Sequence, residues 1–488
     1  MKWLYERAQT HRDKLFLNEL TYGTVLDLII TTAKRLAPHL RGESRIALWA
    51  ENSVSMAIHL FALSALGIET LLLNTNLTNR EITEQMESTG VRTLLMSEKM
   101  THILRAQKVA DDIEITDVST YEYSHNQVDR QYLCFSTCID TDFKAISPMH
   151  NDENLDLNPS GEKVFCIINT SATTGKFKSV PVRWLQIEAH VKASANVLGV
   201  EEHDNWLVVL PMFHVSGLSI ILRTLYNGTR ATIREKFSEQ VVLEALKTDE
   251  VTMVSLVPTV LQRIVERIQV PTLRAILLGG EFIPMPLLQE CVQRNLPVYK
   301  TYGMSETFAQ STTFSIQEYP NKLASVGYPL QGVTIEIRNP DEEGVGEVWL
   351  SSPMLMKGYL NKELIKGAFN TDDIGYVDED GFLYLLNRRK DIIISGGENI
   401  YPKEIEDILY GMDGIQECAV IPVSDPKWGQ VPVLCVVTNC SKEDISQYLL
   451  SRLAKYKVPK RMIYFDALPK NSMGKILRQD LIHTVERA

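Results

Sequence analysis

Between Thr170 and Lys178 the chain reads TSATTGKFK, with hydroxyls at Thr170, Ser171, Thr173 and Thr174 and amines at Lys176 and Lys178 around Gly175. Hydroxyls, backbone N–H groups and lysines are the donors a phosphate chain requires. The apolar residues just before, Phe165 to Ile168, read as a buried strand that delivers this polar loop. It is not a Walker A loop. That motif needs Gly five positions before the Gly-Lys pair and Ser or Thr after it, where this chain has Thr170 and Phe177. A polar turn after a buried strand would use the same residues, so the segment alone leaves both readings open.

Four further segments carry groups of comparable promise. KTYGMSET, Lys300 to Thr307, sets an aromatic that can stack on a base four positions before Glu306, a carboxylate that can hold Mg²⁺ on phosphates. Phe369 to Leu385 is acidic and glycine-containing and leads into Asn387, Arg388, Arg389, Lys390 and Asp391. SGGENIYP spans Ser395 to Pro402, and LPKNSMGKILR spans Leu468 to Arg478. A lone Lys475 in a polar loop would ordinarily be a solvated charge.

Taken together and in this order, the five segments resemble those of the adenylate-forming superfamily of acyl-CoA synthetases, adenylation domains and luciferases. The resemblance covers nearly the whole chain. It implies ATP, Mg²⁺ and CoA as reaction partners and a small carboxylic acid as substrate. It also implies roles by position. Thr170, Ser171, Thr173, Thr174, Gly175 and Lys178 would bind phosphates. Gly279, Gly280 and Glu281, in LLGGE, would border the adenine and the acyl group. Tyr302 would stack on adenine, Thr307 would contact the α-phosphate, and Glu306 would ligate Mg²⁺. Asp373 would grip the ribose hydroxyls with Arg388 in support. Lys475 would bridge the attacking carboxylate and the α-phosphate. Lys390 would be the hinge on which a small domain turns, bringing Gly396 and Gly397 up to form a thiol channel. The expected catalytic residues are thus Lys475, Glu306, Thr170 and, at the acyl pocket, His214.

Several positions depart from the superfamily pattern. Ala172, Phe177 and Ser179 replace Gly, Pro and Gly, and Asp372 replaces the glycine before Asp373. A non-glycine residue in left-handed backbone costs about 1–2 kcal/mol. The extra carboxylate of Asp372 would also stand near the ribose and weaken ATP binding. The hydroxyls and charged residues of the motifs all remain, which favours an active enzyme over a non-catalytic nucleotide-binding relative.

The acid is read from Leu210 to Arg223, LPMFHVSGLSIILR, which matches the superfamily's acyl-pocket motif. Ser216 and Gly217 are small enough for close approach, and His214 would line or gate the pocket. Arg223 lies in an otherwise apolar helical run. Burying it unpaired is costly, so it either snorkels to the surface or meets a second carboxylate on the substrate. A dicarboxylate aromatic acid would explain it. The stretches LLLNTNLTNRE, PMFHVSGLS, ISGGENIYP, KWGQVP and LAKYKVPK are similar to those of bacterial o-succinylbenzoate–CoA ligases of menaquinone biosynthesis. A medium-chain fatty or aryl acid–CoA ligase would use the same machinery with a neutral pocket.

The elements that must position these groups alternate. Strand-like runs at Ser44–Ala50, Glu69–Leu73, Val164–Asn169, Trp206–Leu210, Met253–Val257 and Ala275–Leu278 alternate with helical stretches such as Ser53–Leu66 and Asn79–Ser88. This predicts an α/β fold with largely parallel sheets. Thr120 to Lys163 reads as a polar surface excursion, Asn339 to Ser352 as a β-rich hairpin, and Phe369 to Arg389 as loop-dense. A fresh α/β pattern begins after Lys390. We therefore expect a large N-terminal domain of layered α/β subdomains plus a β-rich subdomain over residues 1–387, and a small mobile C-terminal α/β domain over 391–488.

Composition bounds the partners. The chain has 488 residues, 61 acidic and 50 basic, for a net charge of −11. That sign offers no global attraction for nucleic acid or anionic lipid. No apolar run approaches the roughly 20 residues of a membrane helix. The charged start, MKWLYERAQTHRDK, is unlike a signal peptide. Seven scattered cysteines without a CxxC pair fit a reduced, cytoplasmic protein. A homo-oligomer is compatible with all of this.

Overall fold

The computed structural model describes residues 1–106, 115–117, 131–135, 155–170, 177–235, 237–269, 271–281, 283–388, 393–395, 398–425, 428–453, 455–470, 474 and 476–487. Its largest sheet has nine strands, and its centre is parallel. There Asn205–Val208, Met253–Leu256, Ala275–Leu278 and Val298–Tyr302 run side by side in one direction. Thr312–Ser315 and Tyr328–Pro329 close one side antiparallel. A seven-stranded sheet is parallel except at one edge, where Val164–Thr170 pairs antiparallel with Lys178–Arg183. One continuous core joins the two sheets through the helices Tyr22–Leu36, Val54–Ala65, Trp184–Leu198 and Val215–Asn227. Tyr22–Leu36 and Val215–Asn227 lie on the nine-stranded sheet, Val54–Ala65 and Trp184–Leu198 lie on the seven-stranded one, and the helices pack on each other between them, which is the layering the alternating pattern predicts.

Local chemistry sets the element ends. Ser53 begins its helix by accepting the Met56 N–H at 3.0 Å. Thr78 and Glu81 form a reciprocal capping box, and the helix they open ends at Gly90 with φ +70°.

Two readings from sequence are corrected. Within the expected excursion, Gln131–Phe135 is a strand parallel to Thr93–Ser97, with Leu133 and Phe135 buried. Its polar flanks masked a short apolar strand. Phe369 to Arg389 is not loop-dense: Phe369–Val377 and Leu383–Arg388 are antiparallel strands of a four-stranded sheet that includes the expected hairpin, Thr334–Arg338 with Gly346–Ser351. The acidic residues that suggested a loop sit largely in the connecting turn, where Asp378 accepts the Phe382 N–H and pairs with Lys322 at 2.8 Å.

A further sheet near the C-terminus pairs Ile415–Asp425 with Gly429–Thr438, and Arg461–Tyr464 adds on parallel. The helix Pro402–Tyr410 packs between this sheet and the strand Leu383–Arg388. No described helix is long and apolar enough to cross a membrane.

Candidate active site

The parallel strands Met253–Leu256, Ala275–Leu278 and Val298–Tyr302 all end at one edge, the usual place for ligands in open α/β sheets. There they border a cavity of about 550 Å³. Its wall includes Leu210, Val215, Ser216, Leu256, Gly279, Gly280, Thr301 and Gly303. Close packing explains three of the motif glycines. A Cβ on Gly279 would stand 2.6 Å from the Thr301 carbonyl oxygen, and one on Gly217 would stand 2.4 Å from the carbonyls of Leu210 and Pro211. At Gly303 it would overlap the Ala309 carbonyl oxygen at 1.4 Å, because the chain doubles back there through Phe308 and Ala309, both at positive φ. Strained non-glycine backbone of this kind gathers at functional sites.

The expected nucleotide residues come together in two groups beside this cavity. In the first, Thr170 and Lys178 face each other as the last cross-strand pair of their hairpin, and the Thr170 hydroxyl donates to the Lys178 carbonyl at 3.3 Å. Ser171, Thr173, Thr174 and Gly175 lie outside the described residues. The Lys178 ammonium stands 5.0 Å above the Tyr359 ring, and the Tyr359 hydroxyl donates to Glu306 Oε1 at 2.8 Å. Burial and the Glu306 charge push the Tyr359 hydroxyl's pKa up, so it remains a donor. Tyr359 went unnoticed in the sequence because a lone Tyr in KGYLN has no distinguishing spacing. Thr307 is buried and hydrogen bonded to Ser311 at 2.8 Å.

In the second group the Tyr302 hydroxyl donates to Asp373 Oδ2 at 2.5 Å, and Asp373 is cross-strand from Arg388. The base-stacking and ribose-gripping candidates therefore touch directly. Asp372 does occupy left-handed backbone, at φ +61°, held by its N–H donating to Asn370 Oδ1 at 2.8 Å. Its side chain is exposed, so solvent screens much of its charge, although that charge still acts on Tyr359. Ser179 lies in extended strand and donates to Asn169 at 2.7 Å, so glycine is not required there.

Gly474 reaches the same cavity from the C-terminal part of the chain. A Cβ there would meet Thr259 Oγ1 at 3.1 Å and Glu281 Oε1 at 3.7 Å. Lys475, Lys390, Gly396 and Gly397 lie outside the described residues.

The acyl-pocket motif forms the cavity's other wall. His214 precedes the helix Val215–Asn227, its ring 4.7 Å from that of Phe213, and burial holds its pKa down to about 4, so it is neutral at physiological pH. The cavity lining here runs through Phe213, Val215 and Ser216; His214, expected to line or gate the pocket, is not part of it, its ring being buried behind the wall.

Arg223 does not snorkel to the surface. It is 2 % exposed and lines the cavity. Its Nη2 donates to Gln310 Oε1 at 2.8 Å and to His190 Nε2 at 2.9 Å, and its guanidinium sits 5.0 Å over Trp206. Burial pulls its pKa down to about 9, which leaves it charged at neutral pH. Among the described residues Nε and Nη1 have no partner, and the Ser216 hydroxyl is likewise unsatisfied. No carboxylate among the described residues pairs with Arg223. Gln310 and His190 carried no signal in the sequence, since they lie 87 and 33 positions from Arg223.

The donor set suits Mg²⁺ carried on ATP. That ion is commonly held by one or two carboxylates plus substrate phosphates and water, and Glu306 supplies one carboxylate beside Lys178. Among the described residues no cluster of three His, Cys, Asp or Glu would hold a metal by itself.

Comparison with known proteins agrees with this geometry. The family profile "AMP-binding enzyme" matches residues 4–360, and "AMP-binding enzyme C-terminal domain" matches 404–475. A 2-succinylbenzoate–CoA ligase of Lactococcus lactis is 50 % identical over 481 residues, covering 99 % of this chain and 100 % of the relative. Among solved structures, the o-succinylbenzoate CoA synthetase of Bacillus subtilis bound to the acyl-adenylate OSB-AMP matches with a TM-score of 0.84 and 32 % identity, covering 98 % of this chain and 97 % of that one. The same synthetase with ATP and magnesium ion matches with a TM-score of 0.84 and 32 % identity, over 98 % of this chain and 99 % of that one. With its cavity at the strand ends and these matches along nearly its whole length, the chain belongs to the AMP-binding enzyme family.

Proposed function

We propose that this chain is an AMP-forming ligase that converts 2-succinylbenzoate to its CoA thioester, a step of menaquinone biosynthesis. The observation that carries the acid assignment is Arg223: a buried cation in the cavity wall whose described partners are neutral and whose Nε and Nη1 are unsatisfied. Leaving such groups unpaired is expensive, and a second carboxylate on the acid would satisfy them. The named activity of the 50 % identical relative supports the same acid.

In the first half-reaction one carboxylate oxygen of the acid attacks the α-phosphorus, the bond to the β-phosphate oxygen breaks, and pyrophosphate leaves. Two anions meet, so the site must offset charge. Lys475 is assigned to the attacking carboxylate and the α-phosphate, Thr307 to the α-phosphate, and Thr170, Ser171, Thr173, Thr174, Gly175 and Lys178 to the phosphate chain. Glu306, oriented by Tyr359, would hold Mg²⁺, which neutralises phosphate charge. Gly280 and Glu281 border the adenine, Tyr302 stacks on it, and Asp373 with Arg388 takes the ribose. His214, Ser216, Gly217 and Gly279 shape the acyl site. In the second half-reaction the CoA sulfur attacks the acyl carbonyl carbon and AMP departs. Lys390 is assigned as the hinge between units 1–387 and 391–488, and Gly396 and Gly397 are assigned to the thiol channel. We place the enzyme in the cytoplasm, where the six described cysteines, all free, would remain reduced.

ATP–pyrophosphate exchange across a panel of acids tests this reading. Exchange is expected with 2-succinylbenzoate far above that with benzoate or a medium-chain fatty acid. Exchange with fatty acids alone would overturn the acid assignment, and exchange with no acid would overturn the ligase.

A further inference from the structure

The groups that hold Arg223 differ from those usually found around a buried guanidinium. A buried arginine ordinarily meets a carboxylate. Here Nη2 is shared between His190 Nε2 at 2.9 Å and Gln310 Oε1 at 2.8 Å. A guanidinium can only donate, so His190 Nε2 must accept; the ring proton then resides on Nδ1, which is buried and has no partner among the described residues. Burial and the Arg223 charge both hold the His190 pKa well below its ordinary value. The ring is fully buried on the helix Trp184–Leu198 and stands edge-on to Phe308 at 5.3 Å, in the strained turn that follows Glu306. Gln310 is fixed too: its Oε1 also accepts from Ser194 at 2.7 Å, and its Nε2 donates to Thr313 at 2.8 Å.

We propose that His190 is a positioning residue for acid specificity, a neutral acceptor that anchors the Arg223 guanidinium without neutralising it. A carboxylate at this place would pair with Arg223 and cancel the charge that selects a dianionic acid. An apolar residue would leave Nη2 with Gln310 alone and release the guanidinium from its place over Trp206. The histidine does neither. It fixes one nitrogen, keeps the full positive charge and leaves Nε–H and Nη1–H for the substrate. The inference rests on the proposed second-carboxylate role of Arg223 and adds the residue that makes that role exclusive.

The test measures ATP–pyrophosphate exchange with the full chain and compares kcat/KM for 2-succinylbenzoate with that for benzoate. His190→Leu is expected to lower this selectivity about tenfold, mostly through KM for the dicarboxylate, as befits loss of one charge-assisted hydrogen bond. His190→Gln, which keeps a neutral acceptor, is expected to hold selectivity within about threefold of wild type. His190→Glu is expected to lower it at least as far as His190→Leu, by pairing with Arg223. In an Arg223→Ala background, His190→Leu should change selectivity no further. Thermal melting of each variant separates misfolding from altered recognition, and the Gln and Glu variants decide the matter if the Leu variant does not fold. Unchanged selectivity in a folded His190→Leu or His190→Glu protein would overturn the inference, as would failure of the Gln variant to retain it. Arg223→Ala alone tests the underlying reading: equal losses with both acids would reject that reading and the inference with it. Selective loss in Arg223→Ala without an effect at His190 would reject only the positioning role.

Discussion

At the scale of single residues, the proposed acid specificity rests on charge placement. Arg223 spends one nitrogen on neutral partners and keeps the rest, so its deletion should be felt by the part of the acid that carries extra charge. Arg223→Ala is expected to lower kcat/KM for 2-succinylbenzoate by roughly 10²-fold, the scale of a lost charge-assisted contact, and to affect benzoate much less; steady-state kinetics on both acids checks this. Asp372 shows the opposite case, a charge that the sequence suggested would disturb ATP. Its side chain is exposed and its backbone is left-handed at φ +61°. Asp372→Gly should therefore raise stability by about 0.5–1 kcal/mol through relief of strain, and change KM for ATP less than about twofold. A marked fall in that KM would mean that the carboxylate does reach the nucleotide.

At the scale of elements, the site depends on backbones approaching more closely than side chains allow. The helix Val215–Asn227 starts against the carbonyls of Leu210 and Pro211, and Gly217 alone makes that contact feasible. Gly217→Ala cannot be relieved by a rotamer, because the obstacles are backbone atoms. It is expected to destabilise the protein by about 1–3 kcal/mol, read as a lower denaturant midpoint, with the acyl wall displaced as well. An unchanged midpoint would show that the helix start can shift freely. Separate sheets also meet through side chains. Tyr302 ends a parallel strand and Asp373 sits mid-strand in a different sheet, yet their side chains meet at 2.5 Å.

At the scale of the whole molecule, two of the places where the described C-terminal residues meet the rest bear on chemistry and stability. One is Gly474 against Thr259. Lys475 follows it directly, and Lys475→Ala is expected to slow adenylate formation on the order of 10²–10³-fold. Thioester formation from a supplied acyl-adenylate should fall much less, and equal losses in the two half-reactions would count against the assignment. The other place is the helix Pro402–Tyr410. Its Lys403 and Asp407 act electrostatically on Lys300, whose ammonium is buried and donates to the Leu323 carbonyl at 2.8 Å. Burial, aided by Lys403, pulls the Lys300 pKa down to about 7 from 10.5. Between those two values the unfolded chain holds a proton that the folded one has released, so raising pH favours the folded state. Wild type should gain melting temperature relative to Lys300→Met as pH rises from 7 toward 10. A difference independent of pH would show that Lys300 stays charged when buried.

The family and the fold class were legible in the sequence, because the family's motifs keep short-range spacing. TSATTGKFK, YGMSET and the Asp373 strand each carry their pattern within about ten residues, and strand–helix alternation announces layered α/β. The strands Gln131–Phe135 and Phe369–Val377 were hidden because polar and acidic neighbours outweighed a brief apolar alternation. What only the tertiary structure decided was the surroundings of each charge. In sequence, Arg223 could equally reach for solvent. Folding carries it under the core, brings His190 and Gln310 to a single nitrogen, and leaves the rest of the guanidinium unsatisfied. The reason is physical: residue type fixes which hydrogen bonds a group can make, but desolvation and partner identity come from segments far apart in the chain, and these set what the charge is left to bind.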